Sequence, residues 1–436
     1  MAFDFTTDDD GLLKVPTDTA CPTLKSSPRP YEVWFNIKDM DQRGYEDADN
    51  QTPWETLKRL AQVVCGAKSG STIQLGMFFF RAIGTAIRPE SDPEVVWDAL
   101  EYVYKKRNVK IQIVSDGGSI SSSFAKKQVI TRLGGISTLK WCKYGCFDYG
   151  SSKVRPNSIN HEKFLTISNT IWDNDGGTHP IVYSSSANIS RGQVRTYWNE
   201  GTVLYDNKTV YNLFSDRFKG MMVCADNPTC STKSAFPASL QNTLYSQRSV
   251  WVDSIYRHDG GDGTGVSVSF SPQPQTARDF YSQQFDDVDC KVDNTIRVAM
   301  FRLSENRAPQ LVEAVTRLQK RGCNTQIVIS NGGGAPTLTP ATAKLLYKAD
   351  IPVKCSAVRL HTKTVLIGSD SNNYGRALFG TTNMSTSGLR YSDEHVITVD
   401  TRAADSTHVA DARRLYGEFL AGWYEMSKGA TKCPTS

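Results

Sequence analysis

Asn160-His161-Glu162-Lys163-Phe164-Leu165-Thr166-Ile167 and Leu360-His361-Thr362-Lys363-Thr364-Val365-Leu366-Ile367 are the two stretches on which the reading of this chain turns. Only six histidines occur, and two of them open a His-x-Lys triplet, one in each half of the sequence. The residues after each Lys are β-branched or apolar and read as strands. In a strand, positions i and i+2 point to one face, so each imidazole and its ammonium project together.

Moving outward, Ser185-Ser186-Ala187-Asn188 matches Gly380-Thr381-Thr382-Asn383. The hydroxyls of Ser186 and Thr381 share a strand face with Asn188 and Asn383, and both groups can hydrogen-bond a phosphate. Shortly after come the carboxylates of Glu200 and Glu394. Each is a natural partner for one imidazole nitrogen, fixing tautomer and orientation. Asn188-Ile189-Ser190 and Asn383-Met384-Ser385 also match a glycosylation sequon, but they lie inside the expected site. That leaves Asn207-Lys208-Thr209 as the acceptor, and only in a eukaryotic secretory host.

The repetition extends upstream. Thr72 to Phe78 reads like Thr295 to Phe301. The apolar faces of Val95 to Tyr104 and Leu311 to Leu318 have helical spacing. Ile111 to Gly118 and Gln326 to Gly333 are strands that run into glycine. Final helices are expected over Thr209 to Phe218 and Ser406 to Tyr424. The polar, Gly-rich stretch Asn227 to Thr264 reads as a linker. The expected fold is α/β, with two similar lobes over residues 1–235 and 236–436.

His-x-Lys, then hydroxyl-x-Asn, then an acid, all present twice, resembles the phospholipase D superfamily, with the flavour of its secreted bacterial members. The resemblance spans about Thr72 to Phe419. It implies a duplicated sandwich with pseudo-two-fold symmetry and one active site at the lobe interface. It also implies a metal-independent phosphodiesterase that uses no cofactor and acts on a phospholipid or another phosphodiester, the alternatives being a nuclease of the same superfamily or a catalytically impaired member that binds phosphate esters. His161 is then the nucleophile that forms a phosphohistidine, and His361 the general acid and base. Lys163, Lys363, Asn188 and Asn383 hold the phosphate oxygens. The chain departs from the family at one point: the Asp expected five residues after each Lys is Ser168 in one half and Gly368 in the other. Asp370 replaces it only with a backbone shift.

A net charge of +5 admits an anionic substrate without calling for nucleic acid. The one sharp basic cluster, Lys105-Lys106-Arg107, ends a predicted helix, where the macrodipole favours cations. No apolar run approaches the length of a membrane span, so any membrane contact is transient, and a monomer is expected. The acidic, polar stretch Ala2 to Gly11 has neither a basic n-region nor an apolar h-region, so either a cytosolic protein or a mature chain with a start Met added is expected. Ten cysteines nonetheless favour secretion as a mature chain over the cytoplasm. Cys142 with Cys146 and Cys224 with Cys230 lie within disulfide reach, and Cys21 with Cys433 could staple the termini. No C-x-x-C pair or carboxylate cluster suggests a metal.

Overall fold

The computed structural model describes residues 30–36, 55–78, 91–117, 129–135, 139–147, 158–171, 177–190, 193, 197–225, 263–273, 279–304, 306–330, 337–369 and 371–434. The chain forms two compact units. The first comprises Met1–Cys146, Ile159–Thr196 and Glu200–Phe236; the second comprises Phe147–Ser158, Tyr197–Asn199 and Pro237–Ser436. Two short pieces of the first half of the sequence therefore belong to the second unit. Most of the stretch read as a linker lies outside the described residues.

The first unit runs β1 (Tyr31–Phe35), α1 (Glu55–Cys65), β2 (Thr72–Met77), α2 (Ser91–Arg107), β3 (Lys110–Asp116), β4 (Leu139–Cys142), β5 (Lys163–Ile167), β6 (Ile181–Ser185), β7 (Glu200–Tyr205) and α3 (Lys208–Cys224). Its sheet has the order β1-β7-β6-β5-β2-β3-β4. Strands β2, β3 and β4 are parallel, and the remaining pairs are antiparallel. Every residue of β5, β6 and β7 is buried, as expected of central strands covered on both faces. Alternation splits β5 between two cores. Leu165 and Ile167 join the cluster of α1 and α2, whereas the Phe164 ring lies 5.0 Å from Phe214 of α3. Burying one such ring contributes about 2–3 kcal/mol.

The second unit runs β8 (Thr264–Ser271), α4 (Phe280–Asp286), β9 (Thr295–Met300), α5 (Ala308–Lys320), β10 (Asn324–Ile329), α6 (Pro340–Lys348), β11 (Val353–Cys355), β12 (Lys363–Ser369), β13 (Tyr374–Gly380), α7 (Thr386–Arg390), β14 (Glu394–Ala404), α8 (Val409–Ser427) and β15 (Thr431–Lys432). Read from β8, its sheet order is β8-β14-β13-β12-β9-β10-β11-β15. Strand for strand this repeats the first sheet, with β15 added beyond β11. The helices expected at the end of each half are α3 and α8. Phe419 of α8 stacks on Phe379 of β13 at 4.7 Å.

Disulfides join Cys142 to Cys146, Cys290 to Cys323 and Cys355 to Cys433. Cys65 and Cys224 are disulfide-bonded as well. The expected staple from Cys21 to Cys433 is corrected: β15 pairs antiparallel with β11, Cys355 opposite Thr431, which brings Cys433 to Cys355. Asn207 is corrected too. It is buried, and its Oδ1 accepts the Val210 N–H as the N-cap of α3, so it is no glycan acceptor.

The Cys355–Cys433 bond closes a loop over a sequence separation of 78. Replacing Cys433 by Ser is expected to lower unfolding free energy by about 2–5 kcal/mol. Denaturant unfolding under non-reducing conditions measures this, and an unchanged midpoint would deny the bond a stabilising role.

Candidate active site

In the first unit, β5 begins at Lys163, and the segment leading into it is pinned from two sides. The Asn160 N–H donates to Asp116 Oδ2 at 3.1 Å, and the Phe78 N–H donates to Glu162 O at 2.7 Å. The second bond extends the β2–β5 ladder by one step. It leaves His161 at the strand end, with Lys163 pointing to the same side. Lys163 is fully buried, and its Nζ donates to His161 O at 2.8 Å. Glu162 faces the other way and pairs with Arg217 of α3 at 3.1 Å.

The second unit builds the same arrangement. The Phe301 N–H donates to Thr362 O at 3.0 Å, and fully buried Lys363 donates from Nζ to His361 O. Here the imidazole has partners that the sequence reading missed. Tyr197–Asn199 runs beside the strand end, the Trp198 N–H donating to Arg359 O and the His361 N–H to Trp198 O, each at 2.8 Å. This register sets Asn199 Oδ1 at 3.1 Å from His361 Nδ1. Lys363 Nζ lies at 3.1 Å from the same nitrogen.

Those two neighbours suit opposite tautomers. With the proton on Nδ1, the ring donates to the Asn199 amide oxygen and leaves Nε2 as a base or nucleophile. With Nδ1 unprotonated, it accepts from the Lys363 ammonium, and Nε2 carries a proton to give away. Asn199 Nδ2 donates to Tyr197 O at 3.2 Å, which holds Oδ1 toward the ring and suits the first form; the second sets two acceptors face to face unless the amide turns.

The hydroxyls named from sequence have structural partners. Ser186 Oγ donates to Glu200 Oε2 at 2.9 Å and accepts the Glu200 N–H at 3.0 Å. Thr381 Oγ1 accepts the His395 N–H at 3.0 Å. Ser185 stands opposite Gly201 and Gly380 opposite Val396, so Glu200 corresponds to His395, and Asn199 corresponds to Glu394. The carboxylate of Glu200 is held by Ser186. The group on an imidazole in the second unit is the amide one residue earlier. Asn199 and Glu394 both fall eleven residues after their motif Asn, a spacing that could have found them.

Asn188 and Asn383 are buried, and the side-chain oxygen of each has no hydrogen-bond partner among the described residues. The carboxamide stands in the same state in both repeats. Rotated about its last torsion, it offers an N–H to a phosphate oxygen. The Ser190 N–H donates to Asn188 O at 2.8 Å, and the Ser385 N–H to Asn383 O at 2.7 Å, setting both residues in the same turn. Glu394 adjoins Asn383 across Gly388, where a Cβ would stand 2.8 Å from Asn383 O and 3.2 Å from Glu394 Oε1.

The two positions that lack the family Asp differ physically. Ser168 Oγ accepts the Thr72 N–H at 2.8 Å, capping β2 as a carboxylate could. Gly368 sits opposite Gly375, and a Cβ there would meet Tyr374 O at 2.2 Å and Gly375 Cα at 2.7 Å. Asp370 lies outside the described residues. Ser168→Asp is therefore expected to leave thermal stability within about 1 kcal/mol, whereas Gly368→Asp costs about 3 kcal/mol or more. Equal melting temperatures for the two variants would contradict this.

The sequence profile described as cardiolipin synthase, phospholipase D-like domain, matches residues 65–222 and 290–415. A search of curated proteins by sequence returns no match. Among solved structures, phosphatidylserine synthase from Haemophilus influenzae Rd KW20 aligns with TM-score 0.54 and 11% identity, over 91% of this chain and 90% of that one. The phospholipase D family member Nuc from Salmonella typhimurium aligns at 0.30 with 17% identity, over 39% of this chain and 97% of its own. Yeast tyrosyl-DNA phosphodiesterase aligns at 0.47 with 9% identity, over 87% and 91% respectively. With the profile covering more than half of the sequence and both repeats, the chain belongs to the phospholipase D superfamily.

Proposed function

We propose that the protein is a metal-independent phosphodiesterase that hydrolyses or exchanges the head group of a phospholipid. One observation carries the reading above the others. Each repeat holds a buried His, a fully buried Lys and a buried Asn. Ammonium and amide groups in a dry setting neutralise phosphate oxygens, and charge stabilisation of this kind is the largest share of phosphoryl-transfer catalysis.

In the proposed reaction the two sets act on one phosphoryl group. Nε2 of His161 attacks phosphorus while the bond to the leaving oxygen breaks, and His361 gives its Nε2 proton to that oxygen. Water or an alcohol then loses a proton to His361 and attacks phosphorus, and the phosphorus–nitrogen bond breaks. Asn199 orients His361, and Glu394, its counterpart by register, is proposed to orient an imidazole in the same manner. The described cysteines are all disulfide-bonded, which supports an oxidising, secreted setting. The modest charge of +5 gives nucleic acid no particular support as a substrate.

The decisive assay is a panel of phospholipids, cyclic and linear nucleotides and DNA, in excess chelator. Turnover of a phospholipid is expected, falling at least about a thousandfold in His161→Ala and in His361→Ala. In dilute ethanol, phosphatidylethanol should form beside phosphatidic acid. Full activity in either variant, or turnover of DNA alone, would defeat the proposal.

A further inference from the structure

Phe78 and Phe301 occupy the same place in the two units, one residue beyond β2 and β9, and each is half-buried. The N–H of each donates to the carbonyl of the residue between His and Lys, at Glu162 and at Thr362. That bond carries the ring over both functional groups. The Phe78 ring centre lies 5.0 Å from the His161 ring at an interplanar angle of 57°, and 5.3 Å from Lys163 Nζ. The Phe301 ring centre lies 4.7 Å from His361 at 55°, and 5.2 Å from Lys363 Nζ.

We infer that Phe78 and Phe301 are positioning residues for the phosphate site, each aiming a lysine ammonium and bracing the neighbouring imidazole. The inference rests on the function proposed above. Four distances and two angles agree closely between the two repeats. An aromatic face is electronegative, and a cation within about 6 Å of its centre is attracted to it, more strongly where water is excluded. Both lysines are fully buried. The histidine carbonyl holds each ammonium on one side and the ring face on another, so its direction is set before an anion arrives. Preorganisation of this sort lowers the ordering cost of binding. In the second unit Tyr197 adds a further wall, 5.7 Å from His361 and 6.3 Å from Phe301.

The test uses orthovanadate as a phosphate mimic, with its Kd measured by calorimetry on the full chain and no turnover needed. Phe301→Leu and Phe78→Leu keep an apolar side chain but lose the ring face, whereas the Tyr variants keep it. Each Leu variant is expected to bind orthovanadate about three- to tenfold more weakly, and each Tyr variant to match wild type. Thermal unfolding is followed in parallel, and Phe→Met replaces any Leu variant that fails to fold. Leu variants that bind like wild type, or Tyr variants as weak as Leu, would overturn the inference while leaving the proposed function intact. A wild-type protein that does not bind orthovanadate would remove the phosphate site itself, and this inference with it.

Discussion

A fully buried ammonium is among the most costly groups a fold can carry, and each unit places one at the first residue of a central antiparallel strand. Much of the local architecture follows from making Lys163 and Lys363 tolerable. The histidine two residues earlier turns its carbonyl toward the ammonium, which requires the chain to leave the ladder there. The antiparallel neighbour, β2 or β9, runs one residue past the ladder to bond the intervening carbonyl, which brings an aromatic ring over the charge. Strands β5 and β12 must then be central, since only a strand covered on both faces holds the lysine stem out of water.

The two units share this arrangement but finish it differently. Behind the first triplet, Glu162 and Arg217 form a buried ion pair with α3; behind the second, the Thr362 and Thr364 hydroxyls bond each other at 2.8 Å. Position 199 carries a neutral amide where its counterpart 394 carries a carboxylate. At position 199 the amide stabilises one tautomer of His361 without adding charge.

Much of this was readable from the sequence because the repeat supplies its own control. The β-branched runs after each Lys became β5 and β12, and the periodic helices fall within α2 and α5. The family Asp, absent from both halves, became intelligible only in three dimensions. A serine hydroxyl replaces it at 168, and backbone crowding between Gly368 and Gly375 excludes it from the other half. Phe78 and Phe301 stood in the quoted repeat yet read as strand residues, since nothing in one dimension tells a core ring from one lying over a lysine. Asn199 was hidden by its neighbour: a Glu one position later has the more familiar chemistry, and strand alternation decides between them only once the register is known. Disulfide connectivity likewise depends on which strands pair.

The placement of Tyr197–Asn199 bears on how this molecule can be dissected. The segment is flanked in sequence by residues of the first unit, yet its backbone and amide complete the surroundings of His361 in the second. A gene fragment that starts at the apparent boundary would encode every strand of the second sheet and still leave that histidine without its amide. The covalent order of the chain and the modular order of its parts do not coincide here, so the minimal unit of inheritance for an intact imidazole is longer than either repeat.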